Sequence, residues 1–177
     1  MKEFIQKHKL FSFYTALMLV IVFIAIFAPW LAPGDAFSSD MTKALQAPSA
    51  QHWFGTDKLG RDVLSRIIYG TQLSLFMGVS IVVIMVSIGT VIGAVAGYFG
   101  GKVEMVLMRL ADIMLSFPGV VLAIAIAGIL GGSIVNTILA LSVVGWAKYA
   151  RLVRSMTLKV RGEEYVTAAV MMGASTT

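Results

Sequence analysis

Thirty-five residues without a single charge separate Arg66 from Lys102, and another thirty-five separate Asp112 from Lys148. A bilayer's hydrocarbon core is about 30 Å thick and takes about 20 apolar residues per helix, so each interval is long enough to cross it. A water-soluble domain has no place for such runs. Apolar residues make up 58% of the chain and charged residues 13%, against about 45–50% and about 25% in soluble domains. The chain therefore reads as an all-α polytopic membrane protein. It has no cysteine, which excludes disulfides, thiol catalysis and thiolate metal sites. Its net charge of +5 points to orientation in a membrane, where Lys and Arg mark the cytoplasmic side, and not to a nucleic-acid partner.

The expected organisation follows the apolar runs. A basic N-terminal segment (1–10) with Lys2, Lys7, His8 and Lys9 precedes a first span over 11–31. That run exceeds the roughly 7–15 apolar residues of a cleaved signal peptide, so it reads as an anchor, with Trp30 at the outer interface. A polar connection covers 32–72. Within it, Leu59, Val63, Leu64, Ile67 and Ile68 share one helical face and Arg61, Asp62, Ser65 and Arg66 lie opposite, predicting an amphipathic helix over 57–69. Asp62 and Arg66 are spaced for an i,i+4 pair, and the helix suits membrane lipid or a partner surface. Further spans are expected at 73–99, 103–130 and 134–153, four in all, followed by a tail over 154–177. Gly89, Gly93 and Gly97 put a flat stripe on one face of the second span, where another helix can approach closely. Pro118 should kink the third span, and Gly131-Gly132-Ser133 marks the turn before the fourth. With the N-terminus inside, ten of the fourteen basic residues face the cytoplasm.

Few residues offer chemistry. Arg109 and Asp112, spaced i,i+3, read as a structural pair near the cytoplasmic end of a span, with an ion relay as the sharper alternative. His52 stands without a second histidine nearby and reads as solvated or structural, with a metal ligand as the sharper alternative. The chain has no Gly-rich phosphate loop of the GxxxxGK[ST] type and no titratable cluster within the spans. No catalytic, cofactor-binding or metal-ligating residue is expected. A membrane-embedded enzyme or enzyme anchor would need titratable side chains in reach of one another. Half of a secondary transporter would need more intramembrane ionisable groups and repeat symmetry. A bundle so poor in charge needs an external source of energy for transport. In the tail, Ala168, Ala169 and Gly173 form a low-profile surface beside Tyr165, Val166 and Met172, which suits either a short helix for a partner's groove or a plain connector.

Three motifs resemble the permease subunits of bacterial ABC importers for dipeptides, oligopeptides and nickel. The first is Trp53 to Arg66, with Gly55, Thr56, Asp57, Gly60, Arg61 and Asp62. The second is Arg109 and Asp112 followed by Ser116-Phe117-Pro118. The third is Trp146 to Arg154 with the tail from Glu164 to Ser175. The resemblance implies a type I ABC importer permease fold in the bacterial inner membrane. It implies a second permease subunit, cytoplasmic ATPases and an extracytoplasmic solute-binding protein as partners. It also implies an ATPase-coupling loop through Glu164, Tyr165, Ala168, Ala169 and Gly173, although Thr167 stands where the family pattern has Glu. Members of this family usually continue for about two more spans, so the chain looks truncated. The run Ala50 to Gly55 leans towards the nickel branch over the peptide branch.

Overall fold

The computed structural model describes residues 9–174. Most of the N-terminal basic segment, including Lys2, Lys7 and His8, and the last three residues of the tail lie outside them. The described residues form seven α-helices, one short 3-10 turn and no named strand. By Cα packing the chain divides into two compact units, Met1–Gly78 and Val79–Thr177.

In the first unit, α1 (Lys9–Ile26) is apolar on every side and buries only Ala25. A helix with no polar face belongs in an apolar solvent. It ends at Phe27, whose ring packs on Phe23 (centroids 4.5 Å apart) and on Trp30 (5.5 Å). Pro29 opens the one-turn helix α2 (Ala28–Leu31), where its missing N–H is no loss. A polar loop then leads to the start of α3 (Val63–Phe99).

α3 corrects one expectation. The amphipathic helix foreseen over 57–69 is not a separate element. Residues 57–62 lie in the loop, because Gly60 adopts φ +73°, a left-handed conformation that no α-helix accommodates. From Val63 nothing interrupts the helix, so the amphipathic turns and the second span form one rod of 37 residues, about 55 Å at 1.5 Å per residue.

The second unit corrects two more. The third span, expected as one kinked helix, is two: α4 (Gly101–Ser116) and α5 (Gly119–Leu130), turned by 89° at Phe117-Pro118. Proline denies its predecessor the helical conformation, and Phe117 is extended at φ −91°, ψ 146°. α6 (Ile134–Arg161) runs eight residues past the expected end at 153, since no Gly or Pro lies between Val153 and Gly162. It begins after Gly131-Gly132-Ser133. Ser133 caps it by accepting the Asn136 N–H (3.1 Å), and the Asn136 amide donates to the Leu130 (2.6 Å) and Gly131 (3.1 Å) carbonyls. The last helix is α7 (Glu164–Met171).

By length and composition, two described helices can cross a membrane, α1 and α3, or three if the α4–α5 pair is one broken span. The fourth expected span is not among them. α6 carries Asn136, Thr137, Lys148 and Arg151, which dilute its apolar stretch.

The second unit packs through small residues. Ala111 on α4 and Ala147 and Ala150 on α6 are fully buried beside Trp146, with Ile92 of α3 against them. The face of α3 carrying Gly89, Gly93 and Gly97 lies along α6. A Cβ at Gly89 would stand 2.5 Å from Tyr149 Cβ, one at Gly97 would stand 2.7 Å from Thr157 Cβ, and one at Gly93 would strike the Ala150 carbonyl oxygen.

Candidate functional site

The residues of the first motif organise the loop before α3. Gly55 and Gly60 both have positive φ, and a Cβ at either would strike backbone: the Gln46 carbonyl at Gly55 and the Asp40 carbonyl at Gly60. Thr56 pairs with Asp62 in an isolated antiparallel bridge. Its hydroxyl accepts the Gln46 N–H (2.8 Å) and donates to the Lys43 carbonyl.

Asp57 gathers four donors: the N–H groups of Leu59 (2.8 Å) and Arg61 (3.0 Å) and the guanidinium groups of Arg61 (2.8 Å) and Arg66 (2.5 Å). Burial pushes its carboxyl up. The hydrogen bonds from Arg61 and Leu59 and the Arg61 charge outweigh that and hold it well below the usual carboxylate range. The foreseen Asp62–Arg66 side-chain pair is therefore corrected. Arg66 turns to Asp57, and Asp62 serves elsewhere.

Asp62 is 4% exposed and caps α3 through Ser65 N–H (2.7 Å), while its other oxygen meets His52 Nδ1 at 3.0 Å. Burial raises its carboxyl too, and the bonds from Ser65 and His52 more than reverse the shift. The fully buried Ser65 hydroxyl accepts the Gly34 N–H (3.0 Å), which ties the beginning of the loop to α3. Trp53 and Phe54 stay exposed.

The second and third motifs meet between α4 and α6. Asp112 does not pair with Arg109. Its partner is Arg151 of α6, at 2.5 Å. Arg109 is the same residue type one turn away on the same rod, but α6 places the Arg151 guanidinium directly against the carboxylate from a second rod. Among the described residues Arg109 has no ion pair; it lies on the rim of a groove of about 430 Å³ with Glu104, Asp112, Arg151 and Arg154. Glu104 takes two bonds from Arg154, from Nε at 2.6 Å and from Nη2. Sequence reasoning missed Glu104, because its partner lies fifty residues on. Pro118 sits at the break that follows α4.

α7 hangs from the end of α6 through Gly162-Glu163. It has no buried residue, and Tyr165, Val170, Met171 and Met172 are exposed. Glu164 opens it, favourably for the helix dipole. Ala168 and Ala169 end it, their carbonyls accepting from Met172 (3.0 Å) and Ala174 (3.0 Å). Gly173, at φ +93°, makes the left-handed turn that closes the helix in a Schellman arrangement.

Half of the chain, residues 89–177, matches the family described as binding-protein-dependent transport system inner membrane component. The chain belongs to this family. Residues 5–48 match the N-terminal transmembrane domain of oligopeptide transport permease C. The dipeptide transport system permease protein of Alkalihalophilus pseudofirmus is 42% identical over 96% of this chain and 56% of its own length. The nickel transport system permease protein of Escherichia coli K12 is 39% identical over 88% and 56%. A glutathione transport system permease protein of Escherichia coli O6:K15:H31 is 41% identical over 98% and 57%. The chain spans about half the length of the curated relatives it matches. As a family member it is a component of the inner membrane, and α4, the break at Pro118, α6 and α7 all lie within the matched half.

Proposed function

We propose that this chain is the membrane-spanning part of an ATP-driven importer, with the end of α6 and α7 in the cytoplasm and the loop from 32 to 62 outside. Two permease subunits form the pathway, separate cytoplasmic ATPases drive it, and an extracytoplasmic binding protein delivers the solute. The observation that carries this reading is α7. An eight-residue helix with no buried residue and three large exposed apolar side chains, followed by exposed Met172 and joined to a 28-residue helix by a two-residue link, suits a partner's groove. Transport is then a two-state reorientation of packed helices that the ATPases bias through α7. For the solute we infer nickel, on the run Ala50 to Gly55. Di- and oligopeptides are the second reading, which the names of the dipeptide permeases among the relatives favour.

The test uses membranes carrying the permease with its transport partners. Ala169→Trp or Gly173→Pro should abolish ATPase co-purification and solute uptake at normal membrane levels. Retention of both would reduce α7 to a connector. Uptake of radiolabelled nickel against labelled dipeptide separates the two solutes. For orientation, Ser39→Cys should react with an impermeant thiol reagent in intact cells and Gly162→Cys should not; the reverse pattern would invert the topology.

A further inference from the structure

Three arginines of α6 each reach a different acceptor on another helix. Arg151 bonds Asp112 and Arg154 bonds Glu104, both on α4, and Arg161 Nη1 donates to the Tyr98 carbonyl at the end of α3 (2.9 Å). The order of the pairs, 104 with 154 and 112 with 151, shows that α4 and α6 run antiparallel. Between the helices the fully buried side chains are small, Ala111, Ala147 and Ala150, and Trp146, Met108, Met114 and Leu115 pack around them. Apolar packing of this kind brings the helices close but is non-directional. Charged pairs add a directed register, because a guanidinium bonded to a carboxylate has a fixed direction. They add little to stability where solvent reaches them, and Arg151 and Asp112 are about half exposed, at 51% and 47%.

Both ends of this brace lead somewhere. Towards the C-terminus, α6 continues to Arg161 and then, after Gly162-Glu163, to α7. Along α4, Asp112 stands one helical turn before Ser116, where the helix stops and α5 leaves at 89°. A displacement of α7 therefore moves the end of α6, and the ion pairs decide whether α4 and its break at Pro118 follow.

We propose that Arg151 and Arg154, through Asp112 and Glu104, are positioning residues that couple motion of α7 to the α4–α5 break. The proposal rests on the permease reading above and names which side chains carry the stroke beyond the ATPase contact. Arg109, on the same groove and without an ion pair among the described residues, takes no part.

The test is a charge swap in the permease assembled with its ATPase partners. Glu104→Arg and Arg154→Glu should each leave membrane level and ATPase co-purification unchanged. Solute uptake per hydrolysed ATP should fall roughly tenfold, the size of a pairwise coupling between interacting charges. The double swap should restore most of the loss, and Arg109→Gln should change nothing. If a reversal lowers membrane level, the milder Arg151→Gln and Glu104→Gln replace it, with the same ratio as readout. Uptake that falls only in step with membrane level, single variants at the wild-type ratio, or a double swap no better than the singles would each overturn the proposal. Loss of ATPase co-purification in the wild-type chain would instead count against the permease reading itself.

Discussion

The loop from 32 to 62 and the helical seam of the second unit are stabilised by opposite means. In the loop, side chains supply the order: Thr56, Asp57, Asp62 and Ser65 satisfy backbone N–H groups that have no regular partner. In the seam, side chains are withheld. Glycine on α3 and alanine on α4 and α6 let helices that already satisfy their own backbones come together. The reason lies in the solvent each region meets. Irregular backbone near water needs directed polar partners, whereas helices in lipid gain no hydrophobic driving force from association and depend on close packing. The two regions should therefore fail differently: the seam when bulk is added, the loop when polar atoms are lost.

The seam offers the largest effect. Gly93→Leu drives a side chain into the Ala150 carbonyl and to within 2.9 Å of Val153 Cβ. Backbone cannot yield as a flexible side chain does, so the loss should reach about 3 kcal/mol or more. The thermal midpoint in detergent and the membrane level should both drop sharply. Val91→Leu, at a site 64% exposed, should stay within about 0.5 kcal/mol. Equal tolerance of the two would show that the glycine face is free.

Gly60→Ala tests whether the loop shares that intolerance of bulk at one point. Its φ of +73° and the Asp40 carbonyl beneath it should together cost about 2 kcal/mol, of which left-handed backbone alone supplies about 1–2. Protease sensitivity of the loop should rise while the helices keep their far-ultraviolet signal. Asp62→Ala comes next. It deletes the cap of α3, worth about 0.5–2 kcal/mol, and leaves His52 without its acceptor. Here the effect should appear as fraying at Val63–Arg66, read by amide hydrogen exchange. Unchanged exchange there would mean that Ser65 and the loop hold the helix start without Asp62.

The sequence revealed these regions unequally. Apolar runs and positive charges disclosed the helical class, and the three motifs disclosed the family. Spacing along one helix, however, names only partners three or four residues away. It offered Arg109 for Asp112 and Asp62 for Arg66, and both arginine-carboxylate choices were wrong, because Asp112 is met by Arg151 from α6 and Arg66 turns nine residues back to Asp57. Glu104 could not be singled out without knowing which helix α4 packs on. Gly145 went unnoticed for the same reason, since only the fold shows Met85 filling the space where its Cβ would stand. Pro118 was visible as a disturbance, but the choice between a kink and a full 89° break depends on how α5 packs against α6.

The smallest effect, and the one most specific to the loop, is its response to acid. Asp57 ionises below its ordinary value of 3.8 because Arg61 and Leu59 bond the charged form, and Asp35, Asp40 and Asp62 are lowered as well. A carboxylate whose folded pKa is depressed stabilises the folded state fully above its unfolded value, and the contribution fades as pH falls through the folded value. The loop should therefore stay as resistant to protease at about pH 4.5 as at neutrality, and open only well below pH 4. Pepsin cleavage within 32–62, followed over that range, measures this. Asp57→Asn should be cleaved faster at pH 4.5, since an amide cannot attract two guanidinium groups as a carboxylate does, and its cleavage should rise less steeply with further acid. The glycine face of α3, whose close contacts at Gly89, Gly93 and Gly97 include no carboxylate, should give a flat profile over the same interval. An acid transition of equal size there would break the contrast between a region ordered by charge and one ordered by close packing.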